Sequence, residues 1–301
     1  MMVAVLQAVR RGPRRRRGGR VRDDPMTLGV LAHGMPGTTL RWWYPEVWAV
    51  VLAFCTIYFY LVGPFRERHG LAPRMELPET LYFLAAMLVM FVSEGTPIHH
   101  VSEKFLFSMH MTQHVLLTMV MAPLLIRGTP GWLVSYGLRF PWLRKTLTFL
   151  TRPVIALVAF NAVNAAWHLP YFYQAVLLHH WFHIVQHVVL VITALMMWWP
   201  ILSPSRELPR LPYGAQTVYI FLLLLLQLPV FAPIIFSESL FYEFYVEAPD
   251  LWGLEPLADQ QLAGAVMQLG GMAIMVYFMG RAFFRWAKEE TSPRLRSPER
   301  A

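Results

Sequence analysis

Seven long apolar segments constrain this chain more than any other feature of its sequence. Each is near the roughly 20 residues that an α-helix needs to cross a bilayer. Only 15% of the 301 residues are charged, against about 25% in a soluble domain, which is too little to cover a soluble surface. We therefore predict an all-α integral membrane protein, a seven-transmembrane-helix bundle. The predicted segments are 43–63, 77–93, 106–126, 152–168, 181–202, 211–235 and 260–284.

The ends of the apolar region divide the chain into three parts. We predict a basic disordered tail at 1–40, a seven-helix transmembrane domain at 41–287 and a cytoplasmic tail at 288–301. The arginine-rich tail repels itself and stays solvated; an overextended start before Met26, or contact with anionic lipid or nucleic acid, are the alternatives. The net charge of +8 lies in tails and loops without aromatic–basic motifs, so we predict no nucleic-acid partner.

Lysine and arginine are distributed unevenly between the loops. The odd-numbered loops and the C-terminal tail are basic, whereas the second loop has only Lys104 and the fourth and sixth have none. Because basic loops face the cytoplasm, the C-terminus is predicted to be cytoplasmic and the N-terminus outside. The arginines of the N-terminal tail oppose this orientation, but they end about 20 residues before the first segment, at the limit of their influence.

Nine of the eleven histidines lie near the predicted outer face. His110 and His114 are four residues apart, so they share one face of segment three, and His183 and His187 do the same in segment five. His168 ends a polar face of segment four. Polar groups in hydrocarbon are costly without partners, so we expect these faces to point into one cavity in the outer leaflet.

Amide and carboxylate side chains accompany the histidines on two helices. Asn164 shares a helix face with His168, and Gln261 follows Asp259 at the start of segment seven. Groups of this kind fix the tautomers of imidazoles that bind a metal. We predict this supporting role for Asn164, Asp259 and Gln261.

Paired histidines on facing helices can supply a four-coordinate metal site. Imidazole suits copper, zinc, iron and nickel alike, and neighbouring methionine thioethers would favour Cu(I). A packing role for the individual histidines is the alternative. The single cysteine, Cys55, excludes a disulfide within the chain and a Cys-x-x-Cys site. The predicted metal ligands are His110, His114, His168, His183 and His187.

Several motifs, taken in order, resemble the CtaG-type cytochrome c oxidase assembly factors of bacteria. They extend over residues 43–285 and leave out the basic N-terminal tail. They are His110-Met-Thr-Gln-His114-Val-Leu-Leu, Ala122-Pro-Leu, Gly128-Thr-Pro130, Trp167-His168-Leu-Pro170, His183-x-x-Gln-His187, Trp198-Trp-Pro200 and Asp259-Gln-Gln-Leu-Ala-Gly264.

The resemblance implies a multi-pass protein of the bacterial plasma membrane that is needed to build active haem-copper oxidase and acts around its copper centres. We accordingly predict an assembly factor that binds copper in the histidine cluster and supports its delivery to an oxidase subunit. The bilayer and that subunit are its predicted partners. The functional positions carried over by the motifs are His110, His114, His168, His183, His187 and Asp259.

Two other functions use histidines within a membrane. A haem-binding membrane electron carrier would ligate haem axially from facing helices, although clustering at the outer boundary leaves a macrocycle less room. A membrane di-iron oxygenase would carry His-x-x-His-His boxes, whereas His179-His180-x-x-His183 has the reverse order. No Ser-His-Asp set, phosphate loop or pair of catalytic carboxylates stands out, so we predict no enzyme activity.

Overall fold

The computed structural model describes residues 43–246 and 253–291. Within these ranges the chain forms helices without a β-strand. The predicted tail at 1–40 lies outside the described residues, as does most of the segment 288–301, although the last helix continues to Thr291. The helices are α1 (Pro45–Arg68), α2 (Leu77–Glu94), α3 (Pro97–Lys104), α4 (Phe107–Gly128), α5 (Gly131–Gly137), α6 (Pro141–Leu150), α7 (Pro153–Trp167), α8 (Pro170–Leu178), α9 (His180–Leu202), α10 (Tyr213–Phe236) and α11 (Pro256–Thr291), with a 3₁₀ turn at Glu243–Val246.

Six described helices are long and apolar enough to cross a membrane: α1, α2, α4, α9, α10 and α11. The pair α6 and α7 passes the same test jointly and is bent by 71°, which gives up to seven spans if the pair counts as one. The predicted all-α membrane class is confirmed, and the predicted seven spans correspond to this upper count.

The bend between α6 and α7 has a local cause. A residue that precedes proline is disfavoured in the α region, and Arg152 before Pro153 has an extended ψ of 131°. The chain therefore stops one helix and starts another, and α7 has only 15 residues, about 22 Å of helix. This is shorter than the hydrocarbon core of roughly 30 Å, so segment four, predicted at 152–168, is not a full span alone.

Proline also marks most of the other helix starts. Its fixed φ suits the first helical turn, where its missing N–H costs no hydrogen bond. Short helices begin in this way in stretches that the sequence assigned to loops, such as α3 and α8. The prolines in first turns are Pro45, Pro78, Pro97, Pro141, Pro153, Pro170 and Pro256.

Apolar side chains lie both inside the bundle and on its outer surface. Trp198, Ile220 and Leu223 are buried in a core formed by α4, α7, α9, α10 and α11. Leu52 and Leu88 are each 61% exposed. Large exposed apolar side chains on α1, α2, α9, α10 and α11 are typical of a protein whose solvent is lipid.

The helices α2 and α4 approach closely at Gly128. A Cβ atom added there would lie 2.6 Å from the backbone nitrogen of Phe83 and 2.8 Å from its Cα atom. The carbonyl oxygen of Gly128 also accepts a hydrogen bond from the Tyr58 hydroxyl at 3.0 Å. Small residues permit such contacts between membrane helices.

We expect the Gly128→Ala substitution to destabilise the protein by about 1–3 kcal/mol, because the backbone of α2 must move away. Thermal unfolding in detergent would report this as a lower midpoint. Gly280→Ala is the matched control, since nothing lies within 4 Å of its added Cβ and alanine favours helix. Equal midpoints for the two variants would contradict the close approach.

Candidate metal centre

Three helices bring the five predicted histidine ligands to one end of the bundle. His110 and His114 come from the start of α4, His183 and His187 from the start of α9, and His168 from the C-terminal end of α7. All five side chains are buried. The i, i+4 spacing therefore directs both pairs into the protein interior, where they meet.

Four of the rings form a compact group, which we call the central cluster: His110, His114, His183 and His187. Within α4 the two ring centroids are 4.5 Å apart, and within α9 they are 4.3 Å apart. Across the helices, His110 lies 5.1 Å from His183 and His114 lies 5.2 Å from His187. His168 stands beside the cluster, with its centroid 6.1 Å from that of His114.

Most ring nitrogens of the central cluster have no hydrogen-bond partner among the described residues. Both nitrogens of His110 and of His114 are in this state, as are the Nε2 atoms of His183 and His187. A buried polar atom without a partner costs about 1–3 kcal/mol, so the cluster calls for an explanation. Ligand atoms of His110, His114 and His187 all lie within 4.8 Å of one another, which suits a shared cation.

Two carboxylates hold the outer nitrogens of the α9 pair. The Nδ1 atom of His183 donates to Oε1 of Glu103 at 2.8 Å, and Nδ1 of His187 lies 3.3 Å from Oε1 of Glu94. When Nδ1 carries the proton, Nε2 has the free lone pair and can bind a cation. Carboxylate–histidine pairs of this kind orient imidazoles that ligate metals and raise their basicity.

His99 links the two carboxylates. Its Nδ1 atom lies 3.3 Å from Oε2 of Glu94, and its Nε2 atom lies 3.6 Å from Oε1 of Glu103. Burial acts to raise the pKa of Glu103, but its hydrogen bond with His183 and its attraction to the neighbouring imidazoles of His99, His183 and His180 together outweigh this and lower the pKa to about 2. Burial lowers the pKa of His99. Near neutral pH, Glu103 is thus ionised and His99 is neutral, the form in which imidazole binds metals.

The predicted supporting residues have other contacts. Asn164 is buried, and its backbone oxygen contacts Nδ1 of His168 at 2.7 Å. Asp259 accepts hydrogen bonds from the backbone N–H groups of Phe107 and Ser108, at 2.6 and 3.2 Å. Asp259 of α11 therefore caps the start of α4, the helix that carries His110 and His114.

The remaining predicted supporting residue, Gln261, contacts the chain just after the end of α10. Its amide donates to the backbone oxygen of Ser237 at 2.9 Å. A methionine does join the histidines: the Sδ atom of Met111 lies 3.3 Å from Nε2 of His168. Both nitrogens of His168 thus have neighbours, which distinguishes this ring from the central cluster.

The sequence reasoning missed Glu94 and Glu103 as partners of the histidines. One available signal was the i, i+4 spacing of His99 and Glu103, which puts both on one face of α3. Another was the position of Glu94 at the end of α2, level with the histidines. These signals are weak, because carboxylates at a water boundary are most often solvated.

A bundle of apolar helices with a buried imidazole cluster at one end defines a multi-pass membrane protein with a candidate metal centre. The model of the cytochrome c oxidase caa3 assembly factor family (Caa3_CtaG) matches residues 56–289. The chain therefore belongs to this family, which confirms the resemblance noted in its motifs. The family is described by its role in cytochrome c oxidase caa3 assembly, and the long apolar helices of this chain are of the kind that cross a bilayer.

Curated relatives occur in mycobacteria. Uncharacterized proteins of Mycobacterium bovis and Mycobacterium tuberculosis are each 24% identical over 180 residues, which are 54% of this chain and 27% of theirs. One of Mycobacterium leprae is 22% identical over 201 residues, 62% of this chain and 30% of its own. The chain thus spans less than a third of the length of these relatives. No solved structure matches it.

Proposed function

We propose that this protein binds copper in the central cluster and supports its delivery to a haem-copper oxidase subunit, without catalysing a reaction itself. The observation that carries the proposal is the set of buried imidazole nitrogens without partners, which converge from α4 and α9. A cation bound there would be ligated by one nitrogen from each ring that faces it. His110, His114 and His187 are the proposed primary ligands, with His183 and His168 adjacent.

The ligand chemistry is compatible with copper as cargo. Imidazole binds copper well, and a thioether, such as that of Met111 beside His168, selects Cu(I). A carrier must also release its ion. A cluster with more imidazoles than one Cu(I) needs lets the ion exchange one ring for another, so that an incoming ligand from the oxidase can replace a ring.

The close spacing of the rings favours an ion over haem. A haem with two axial histidines has its macrocycle between the two imidazoles. Within the central cluster the centroid distances run from 4.3 to 5.7 Å, and the rings pack against one another. A haem-binding electron carrier is therefore the second candidate function, after copper delivery.

The distribution of basic loops supports an orientation with the cluster at the outer face of a bacterial plasma membrane, the N-terminus outside and the C-terminus cytoplasmic. The copper centres of the partner oxidase would then receive their metal from the outer side of the bilayer. Asp259 supports the site by capping α4, and Asn164 supports it through the contact of its carbonyl oxygen with His168.

The proposal can be tested in a bacterium that lacks the gene. We expect low oxidase activity in its membranes, which added copper partly restores. The wild-type gene should restore activity fully, and the His110→Ala, His114→Ala double variant should not. His69→Ala serves as the control, because His69 follows α1 and contacts only Phe65 and Tyr136 among the contacts described. Full restoration by the double variant would refute copper delivery through this cluster.

A further inference from the structure

A small pocket opens beside the central cluster. Its volume is about 140 Å³, and Glu103, His180 and His183 contribute to its lining, together with apolar residues of α8. The side chain of His180 is 67% exposed, that of Glu103 is 20% exposed and that of His183 is 4% exposed. Exposure therefore decreases from His180 through Glu103 to His183, so these side chains connect the solvent with the buried rings.

One carboxylate oxygen of the pocket lies close to three imidazoles. Oε1 of Glu103 lies 2.8 Å from Nδ1 of His183, 3.4 Å from Nδ1 of His180 and 3.6 Å from Nε2 of His99. Ligand atoms of His99, Glu103 and His183 lie within 4.8 Å of one another. This group is separate from the set formed by His110, His114 and His187, which meets the same criterion.

His183 belongs to both neighbourhoods. Its Nδ1 atom faces Glu103, while its buried Nε2 atom has no partner. Its ring centroid lies 5.5 Å from that of His99 on one side and 4.3 Å from that of His187 on the other. A neutral imidazole carries one N–H proton, so one nitrogen at a time can bind a cation. Moving that proton from Nδ1 to Nε2 transfers the free lone pair from the inner group to the outer one.

We propose that His99, Glu103 and His183 form a second metal position, through which the ion passes between the surface pocket and the inner position at His110, His114 and His187. This inference rests on the proposed copper function and assigns the route of the ion. The outer position binds more weakly, because a carboxylate oxygen is a poorer donor to Cu(I) than imidazole. The ion must also displace the contact of Glu103 with His183.

The test is a titration of the purified full-length protein in detergent with Cu(I), buffered by coloured chelators of graded affinity. We expect the wild type to bind about one ion tightly at the inner position and about one further ion weakly at the outer position. Glu103→Gln and His99→Ala should each lose the weak ion and keep the tight one. In these two variants, release of the tight ion to a chelator should be slower than in the wild type by on the order of tenfold, which is within the range for changes around a metal site.

Two matched variants complete the experiment. The His110→Ala, His114→Ala double variant should lose the tight ion and keep the weak one. Glu76→Gln, an exposed carboxylate paired with Arg74, should behave as the wild type. If Glu103→Gln does not fold, His99→Ala and Glu103→Asp carry the test, and Glu103→Asp should retain the weak ion with altered affinity.

The outcomes separate this inference from the proposed function. Wild-type protein that binds no copper would refute both. A wild type that binds only the tight ion, with unchanged release in Glu103→Gln and His99→Ala, would overturn the second position and leave the copper function standing. Retention of both ions by Glu103→Gln and His99→Ala would show that these contacts only hold α3 against α9.

Discussion

The His110→Ala, His114→Ala double variant should bind no copper tightly, whereas the wild type should retain about one ion per chain against a strong Cu(I) chelator. The two rings supply four of the buried nitrogens that have no partner, so their removal eliminates two of the three proposed primary ligands. Metal analysis of purified protein measures the effect. Copper should also raise the unfolding midpoint of the wild type, because it binds only the folded state, and raise that of the variant much less.

Two comparisons make this result specific. Glu94→Gln should keep the ion but bind it roughly 10–100-fold more weakly, since the carboxylate orients His187 and is not itself a proposed ligand. His69→Ala, remote from the cluster, should match the wild type. Full copper content in the double variant would eliminate this assignment, and strong visible absorbance of the wild type as isolated would point to haem instead.

Asp259→Ala should lower stability by about 3 kcal/mol, because two buried backbone N–H groups lose a charged acceptor. In the wild type the Asp259 carboxylate accepts hydrogen bonds from the backbone N–H groups of Phe107 and Ser108 at the start of α4. For a protein of this size the unfolding midpoint would fall by roughly 6–12 °C. Copper affinity should fall as well, since His110 lies one turn into the helix that loses its cap.

Asp259→Asn is the matched control for this prediction. Its amide oxygen can still accept one hydrogen bond, so we expect about half the loss of stability. Thermal unfolding of both variants in the same detergent gives the comparison. An Asp259→Ala protein as stable as the wild type would mean that water caps α4 equally well.

The sequence predicted the helical class and the meeting of the histidines for a definable reason. The bilayer requires long apolar helices, and the i, i+4 spacing of His110 with His114 and of His183 with His187 defines a face for each pair. Polar faces in an apolar solvent turn inward. These rules need no knowledge of which helices are neighbours.

The contacts of the carboxylates could not be predicted in the same way. Whether Glu94 and Glu103 remain in water or fold over the rings depends on how α2 and α3 pack against α9, which no local pattern encodes. Asp259 was expected near the site as a polar group that fixes an imidazole tautomer, whereas its contacts are with the backbone of α4. Its partners in α4 lie 151 and 152 residues away, and only the tertiary structure identifies them.

The cap provided by Asp259 also bears on when the protein becomes competent during synthesis. Chains emerge from the ribosome with the N-terminal part first, so α4 enters the bilayer long before α11 has been translated. Until then the backbone N–H groups of Phe107 and Ser108 lack the Asp259 carboxylate as their acceptor. Under the proposed copper function, we therefore expect a partly synthesised chain to bind the ion more weakly than the complete transmembrane domain.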